Sequence, residues 1–166
     1  PFALDPAAAD PAGTHRGVVV ASPSGNYTFH WIRDAALVMD AVHGDYAKSK
    51  GSEHERYRAL LKDYVEVSIL NQKTPNRSGL NGLGEPKFNV DASAFDKPWG
   101  RPQNDGPALR AITLIHFADN LITEGQQSYV TSKLYDSRHP STSAIKADLE
   151  YVASHWRDSC FDLWEE

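Results

Sequence analysis

The chain has 166 residues, enough for one hydrophobic core, with 17 basic and 22 acidic side chains and a formal net charge of −5. This acidic balance argues against nucleic acid as a partner, because phosphate binding needs a basic surface. The longest apolar runs are far shorter than the roughly 20 residues of a membrane-spanning helix, so we expect no membrane association. Cys160 is the only cysteine, which excludes a disulfide within this sequence and a cysteine-based metal site.

The N-terminal segment is rich in alanine and proline, and residues 1–16 are interpreted as an extended arm. The β-branched run at 17–21 follows and predicts a short strand or a buried extended segment. A Ser-Pro-Ser-Gly-Asn sequence at 22–26 then predicts a turn before the first helical pattern begins.

Helical spacing of apolar residues predicts four helices, over about 31–44, 53–71, 105–124 and 143–157. In the first helix, the predicted buried face consists of apolar residues at helical spacing: Trp31, Ala35, Leu37, Val38, Ala41 and Val42. In the fourth, the predicted stripe is Ile145, Leu149, Val152 and Trp156. Asp105 is predicted to cap the third helix, with Pro107 in its first turn. Helices joined by long loops, without alternating strands, predict a mainly α fold.

Two segments outside the helices lack periodicity. Residues 126–142 are predicted to be a polar connector. The stretch from Thr74 to the third helix is rich in proline, asparagine and glycine, and ordered loops of this length are often functional. Trp99 lies inside this loop between Pro98 and Gly100, so its indole is interpreted either as a binding platform or as a plug that fills the loop.

Aromatic residues precede an Arg-Asp pair where the first helix begins. Tyr27, Trp31, Arg33 and Asp34 have two open interpretations. In the structural one, apolar residues staple the helix start and the helix dipole favours Asp34. In the functional one, the aromatic rings accept the apolar face of a sugar, while Arg33 donates to neighbouring hydroxyls and Asp34 accepts from them.

The sequence ends with three carboxylates beside an aromatic residue, Asp162, Glu165 and Glu166 around Trp164. Charge pattern alone favours a solvated acidic end. The alternative is a glycosidase acid, because an apolar neighbour and nearby carboxylates raise the pKa of a carboxyl group until it can protonate a leaving oxygen. The seven histidines show no ligand spacing, so we expect no metal and no cofactor.

Four longer blocks, taken together, resemble the fungal glucoamylases of glycoside hydrolase family 15. In chain order they are GVVVASPS with YTFHWIRD, GLGEPKFNV, WGRPQNDGPALRA, and DLEYV with FDLWEE. The resemblance covers about residue 17 to the end. It implies part of an (α/α)6 barrel whose active site lies where the loops gather. It also implies exo-hydrolysis of α-1,4-glucosidic bonds in starch and maltooligosaccharides, with release of β-D-glucose by inversion, by a secreted monomer.

By the same resemblance, Glu165 matches the general acid, and Asp162 and Glu166 match its acidic neighbours. Leu163 and Trp164 match parts of the wall around the +1 sugar.

The resemblance also implies the residues that hold the substrate. Arg33 and Asp34 match the pair that grips the non-reducing glucose, and Tyr27 and Trp31 match the aromatic wall of the −1 subsite. Trp99 matches the loop tryptophan that steadies the general acid and the downstream sugars, and Gly100 and Arg101 match the adjacent loop that binds substrate.

The sequence departs from the family pattern in two ways. Phe95 stands where these enzymes often carry tyrosine, which removes a hydroxyl near Trp99. No carboxylate here matches the family's catalytic base. We therefore expect residues 17–166 to be the N-terminal portion of a catalytic domain whose C-terminal half is missing, and the 166-residue chain alone to be inactive. The alternative is a non-hydrolytic carbohydrate-binding or regulatory module derived from the same family.

Overall fold

The computed structural model describes residues 13–22, 27–136, 138 and 143–161. The helices of this part are α1 (Ile32–Tyr46), α2 (Gly51–Lys73), α3 (Asp105–Thr123), the single turn α4 (Gln127–Tyr129) and α5 (Ala144–His155). Two short strands, β1 (His30–Trp31) and β2 (Lys87–Phe88), pair in antiparallel orientation. The mainly α fold is therefore confirmed, and the four predicted helices correspond to α1, α2, α3 and α5.

The buried face of α1 differs from the predicted one. Ala35 and Val42 are buried as expected, but Leu37 is 55% exposed and Val38 is 43% exposed. Ala41 is exposed as well. The side that packs against α2 and α3 carries Ile32, Ala35, Ala36, Met39, Val42 and Tyr46. Because α1 has two apolar stripes, helical spacing alone could not tell which one faces the core.

The stripe predicted for α5 is also partly wrong. Ile145 is buried, but Leu149 is 42% exposed and Trp156 is 64% exposed. The reason is a polar contact: Asp148 of α5 is buried and pairs with Arg110 of α3. This ion pair sets the rotation of α5, so that a carboxylate faces the core and a leucine faces outward.

The start of α3 also departs from the prediction, since Asn104 occupies the cap position and Asp105 is the first helical residue. The carboxylate of Asp105 accepts a hydrogen bond from Arg33 of α1. Nearby, Gly106 lies so close to Ile32 that an added Cβ would stand 3.1 Å from the isoleucine side chain. A small residue is therefore needed for α1 and α3 to approach at their N-terminal ends.

Two further segments differ from expectation. Of the two alternatives for residues 17–21, no strand forms, and the segment is only partly buried: Val18 and Val19 pack against the core, whereas Val20 and Ala21 are exposed. The predicted polar connector contains α4 and a π-helical segment, Val130–Leu134, whose two end residues are buried. The N-terminal arm predicted at 1–16 lies mostly outside the described residues. None of the helices described is both long enough and apolar enough to span a membrane.

Candidate active site

The two strands join the start of α1 to the long loop. Trp31 pairs with Lys87, and the Ile32 N–H donates to the Pro86 carbonyl oxygen at 2.9 Å. Farther along the loop, the Gln103 N–H donates to the Gly84 carbonyl oxygen at 2.9 Å. These backbone bonds hold the loop against the N-terminal ends of α1 and α3, where most of the predicted substrate-binding residues lie.

The ammonium group of Lys87 lies inside a cluster of aromatic rings, here called the aromatic cage. Its Nζ lies 3.1 Å from the ring centre of Trp99, 4.4 Å from Phe95, 4.5 Å from Trp31 and 4.7 Å from Phe29. Lys87 is buried. Because a cation is attracted to aromatic faces, Lys87 holds the four rings together around one point.

Trp31 and Trp99, both predicted to bind substrate, are neighbours in this cage. Their ring centres lie 5.7 Å apart in an edge-to-face arrangement. Both indole N–H groups are buried, and neither has an acceptor among the residues that the structure describes. Buried indole N–H groups usually find a partner, so these two unpaired donors mark an unusual feature of the cage. Tyr27 lies beside Trp31 and is 61% exposed, which suits the outer wall of a binding site.

Arg33 and Asp34 lie in the first turn of α1, but they are not primarily paired with each other. Arg33 Nη1 donates to Asp105 at 2.7 Å and to Gln103 at 3.2 Å, whereas its Nε lies 3.9 Å from Asp34. The side chain of Asp34 is 43% exposed. Arg33 is thus fixed by α3 and the loop, while the carboxylate of Asp34 remains accessible to a ligand hydroxyl.

Arg101 has partners that hold the loop itself. Its Nε donates to Glu85 at 2.5 Å, and its two terminal nitrogens donate to the carbonyl oxygens of Lys97 and Phe95. Glu85 is buried, and burial raises its pKa against the opposing effect of Arg101. These contacts favour a role for Arg101 in shaping the loop around Trp99.

The other end of the described chain returns to the same loop. The Phe161 N–H donates to the Pro102 carbonyl oxygen at 2.9 Å, and the Phe161 ring lies against Gly100, where an added Cβ would be 2.9 Å from the ring. The five predicted residues that follow lie outside the described residues: Asp162, Leu163, Trp164, Glu165 and Glu166. Their roles stay predictions.

Comparisons with known proteins identify the family of the chain. The family model described as "Glycosyl hydrolases family 15" matches residues 8–166. The chain belongs to glycosyl hydrolase family 15. The predicted family resemblance is therefore confirmed over nearly the whole sequence.

Relatives within family 15 are named glucoamylases. The chain is 44% identical to the glucoamylase of Blastobotrys adeninivorans, covering 93% of this chain and 25% of the relative. It is 42% identical to glucoamylase-1 of Schizophyllum commune, covering 98% of this chain and 27% of the relative. The chain thus spans about a quarter of the length of the curated relatives it matches.

Solved structures of this family confirm the fold. The Hormoconis resinae glucoamylase superposes with a TM-score of 0.80 at 40% identity, covering 93% of this chain and 26% of that one. The Hypocrea jecorina family 15 glucoamylase superposes with a TM-score of 0.82 at 38% identity, covering 93% of this chain and 25% of that one. The expectation of part of an (α/α)6 barrel is confirmed.

Sequence reasoning missed three charged residues that contact the predicted site residues: Lys87, Glu85 and Asp105. Lys87 and Glu85 lie in a loop without periodicity, and each is buried through contacts with distant residues. Neither residue lies in a local pattern that indicates burial. Asp105 was interpreted as a helix cap because its position fits one, and its bond to Arg33 spans 72 residues.

Proposed function

We propose that the intact protein is an exo-acting, inverting glycoside hydrolase that releases β-D-glucose from the non-reducing ends of starch and maltooligosaccharides. The observation that carries this proposal is the position of the Arg33–Asp34 turn beside the aromatic cage. Membership of family 15 and the glucoamylase names of the relatives support the same activity. We further propose that the protein is secreted and acts as a monomer.

In the proposed complex, the terminal glucose lies against the aromatic wall of Tyr27 and Trp31, with its apolar face on the exposed ring of Tyr27. Arg33 donates to one hydroxyl and Asp34 accepts from its neighbour. Since Asp105 and Gln103 already fix the guanidinium of Arg33, little side-chain entropy is lost when the sugar binds.

We propose Glu165 as the general acid that protonates the glycosidic oxygen, with Asp162 and Glu166 as its acidic neighbours. The anchoring of Phe161 to Pro102 supports this role, because it starts the segment of Glu165 at the loop of Trp99. Inversion needs a second carboxylate about 6.5–9.5 Å away, which activates water on the opposite face of the sugar. Leu163 and Trp164 are proposed to line the +1 sugar site with Trp99 and Gly100, while Arg101 positions the loop.

The variant Glu165→Gln tests this proposal in the intact natural protein. Gln keeps the shape of the side chain but donates no proton, so kcat on maltose should fall by roughly 10²–10⁴-fold. Glu150→Gln, on the exposed side of α5, is the control and should retain parental kcat. Retention of more than about a tenth of kcat in Glu165→Gln, a loss under about 1.4 kcal/mol, would refute the assignment.

The anomer of the released sugar tests the stereochemistry separately. NMR spectra recorded during early turnover of maltotriose by the parent protein should show β-glucose before mutarotation. Early release of α-glucose would contradict inversion. Binding of maltotriose without release of glucose would instead identify a non-hydrolytic binding module.

A further inference from the structure

Two histidines and an aspartate come together between α1 and α3, on the outer side of the contact between these helices. Asp40 and His43 lie three residues apart on α1, and His116 lies on α3. One ligand atom from each residue lies within 4.8 Å of the others. Asn120, one turn farther along α3, adds a carbonyl oxygen at 2.7 Å from His43 Nε2.

Hydrogen bonds already link these side chains. His116 Nδ1 lies 2.8 Å from Asp40 Oδ1, and the two imidazole rings stack with centres 5.6 Å apart and an interplanar angle of 28°. A divalent ion at the edge of the two rings would take one nitrogen from each ring and an oxygen of the aspartate carboxylate, in place of these hydrogen bonds.

The two helices that carry the cluster, α1 and α3, pack closely against each other. The contact between α1 and α3 is the most extensive helix contact in the described part of the chain. It is pinned by the Thr113 hydroxyl, which donates to the Ala36 carbonyl oxygen at 3.0 Å. Ligand atoms of a tetrahedral zinc site stand roughly 3.4 Å apart, so modest side-chain rotations close the cluster around an ion.

We propose that Asp40, His43 and His116 form a binding site for a borderline divalent metal ion of the zinc class. Two imidazoles and one carboxylate favour Zn²⁺, Cu²⁺, Ni²⁺ or Co²⁺ over Mg²⁺ and Ca²⁺, which prefer oxygen-only ligand sets. The ion braces α1 against α3, far along both helices from Arg33 and Asp105. Sequence spacing could not reveal this site, because His116 lies 76 residues after Asp40.

Titration of the intact natural protein with ZnCl₂ tests the site, in a Cys160→Ser background because the thiol of Cys160 is exposed and could bind zinc itself. Calorimetry should show a Zn²⁺ site that raises the melting temperature, whereas MgCl₂ and CaCl₂ at equal concentration should not. His116→Ala removes a direct ligand. It should weaken Zn²⁺ binding by roughly 10–100-fold or more, since losing a residue that only orients a metal ligand already costs that much.

His155→Ala is the matched control, since His155 also pairs with an aspartate, Asp158 at 2.7 Å, but belongs to no three-residue cluster in the described chain. It should bind Zn²⁺ as the parent does. Asp40→Asn supplies a second variant, and the visible absorption of bound Co²⁺ reports its coordination directly. Unchanged Zn²⁺ affinity in both His116→Ala and Asp40→Asn, or a Co²⁺ spectrum that both leave unaltered, would overturn the proposal.

Discussion

Arg110 and Lys87 are both buried cations, but the two regions of the molecule that contain them surround the charge differently. In the helical core, Arg110 Nε and Nη2 donate to the two carboxylate oxygens of Asp148 at 2.8 and 2.6 Å. In the loop region, Lys87 faces the rings of the aromatic cage. A bidentate ion pair fixes direction and locks α3 to α5, whereas aromatic faces attract a cation without fixing one direction. The core contact therefore serves stability, and the loop contact arranges the rings of the predicted binding site.

The largest effect that this comparison predicts is the loss of the core ion pair. Burial opposes the charge on Arg110, but Asp148 outweighs it and raises the pKa of the guanidinium. Asp148→Asn removes that compensation and should lower the free energy of unfolding by about 3–5 kcal/mol, measured by urea denaturation of the intact protein. Glu150→Gln, which breaks the exposed pair with Lys146 on the same helix, should cost less than about 1 kcal/mol. Equal losses of unfolding free energy in the two variants would show that the core pair stabilises the fold no more than an exposed pair does.

The loop region also contains a buried histidine, His30, that stays neutral. This predicts a change of about 3 kcal/mol in the free energy of unfolding between pH 6.5 and pH 4. Burial lowers the pKa of His30 to about 4, while its Nδ1 accepts a hydrogen bond from the Val19 N–H at 3.0 Å. Between pH 6.5 and pH 4, the unfolded chain takes up a proton that the folded protein does not. Stability should therefore fall as the pH falls through this window, by about 1.4 kcal/mol per pH unit from this residue.

His30→Gln should flatten that part of the stability profile, because glutamine binds no proton in either state. The comparison is made by urea unfolding of parent and variant at several pH values from 7 to 4. Parallel profiles for the two proteins would show that His30 is not held neutral by burial.

A smaller effect, on activity more than on stability, is predicted for the aromatic cage. Lys87→Met retains the length of the side chain but removes the charge that gathers Trp31 and Trp99. We expect kcat/KM on maltose to fall about tenfold, close to the 1–2 kcal/mol of a desolvated cation–π contact. Lys62→Met removes a similar contact, with Tyr129 at 4.6 Å, away from the predicted site and should leave kcat/KM unchanged. Similar kcat/KM values for both variants would show that the cage has no role in binding.

The comparison also explains what could be predicted from the sequence. Helix positions follow from local periodicity, so α2, predicted at 53–71, was found at Gly51–Lys73. The faces of α1 and α5 depend on which neighbours pack against them, and Asp148 shows that one buried ion pair can override an apolar stripe. The π-helical segment after α4 was missed because its polar composition conceals two buried apolar residues.

The family resemblance named Trp31 and Trp99 as site residues, and the structure places them side by side, while their roles stay predictions. The partners that position the site residues were not predictable, because these contacts join residues far apart in sequence. Arg33 meets Asp105 across 72 residues, and Arg101 meets Glu85 across a loop without periodicity. Such pairings depend on the closed fold and leave no trace in local spacing.

The most direct test of the account is a crystal structure of the intact Glu165→Gln variant with maltotriose bound. We expect the non-reducing glucose to lie against the wall of Tyr27 and Trp31, with its hydroxyls within hydrogen-bond distance of Arg33 and Asp34. Maltotriose bound elsewhere, for example in the groove of about 380 Å³ between Leu80 and Tyr151, would contradict the proposed site.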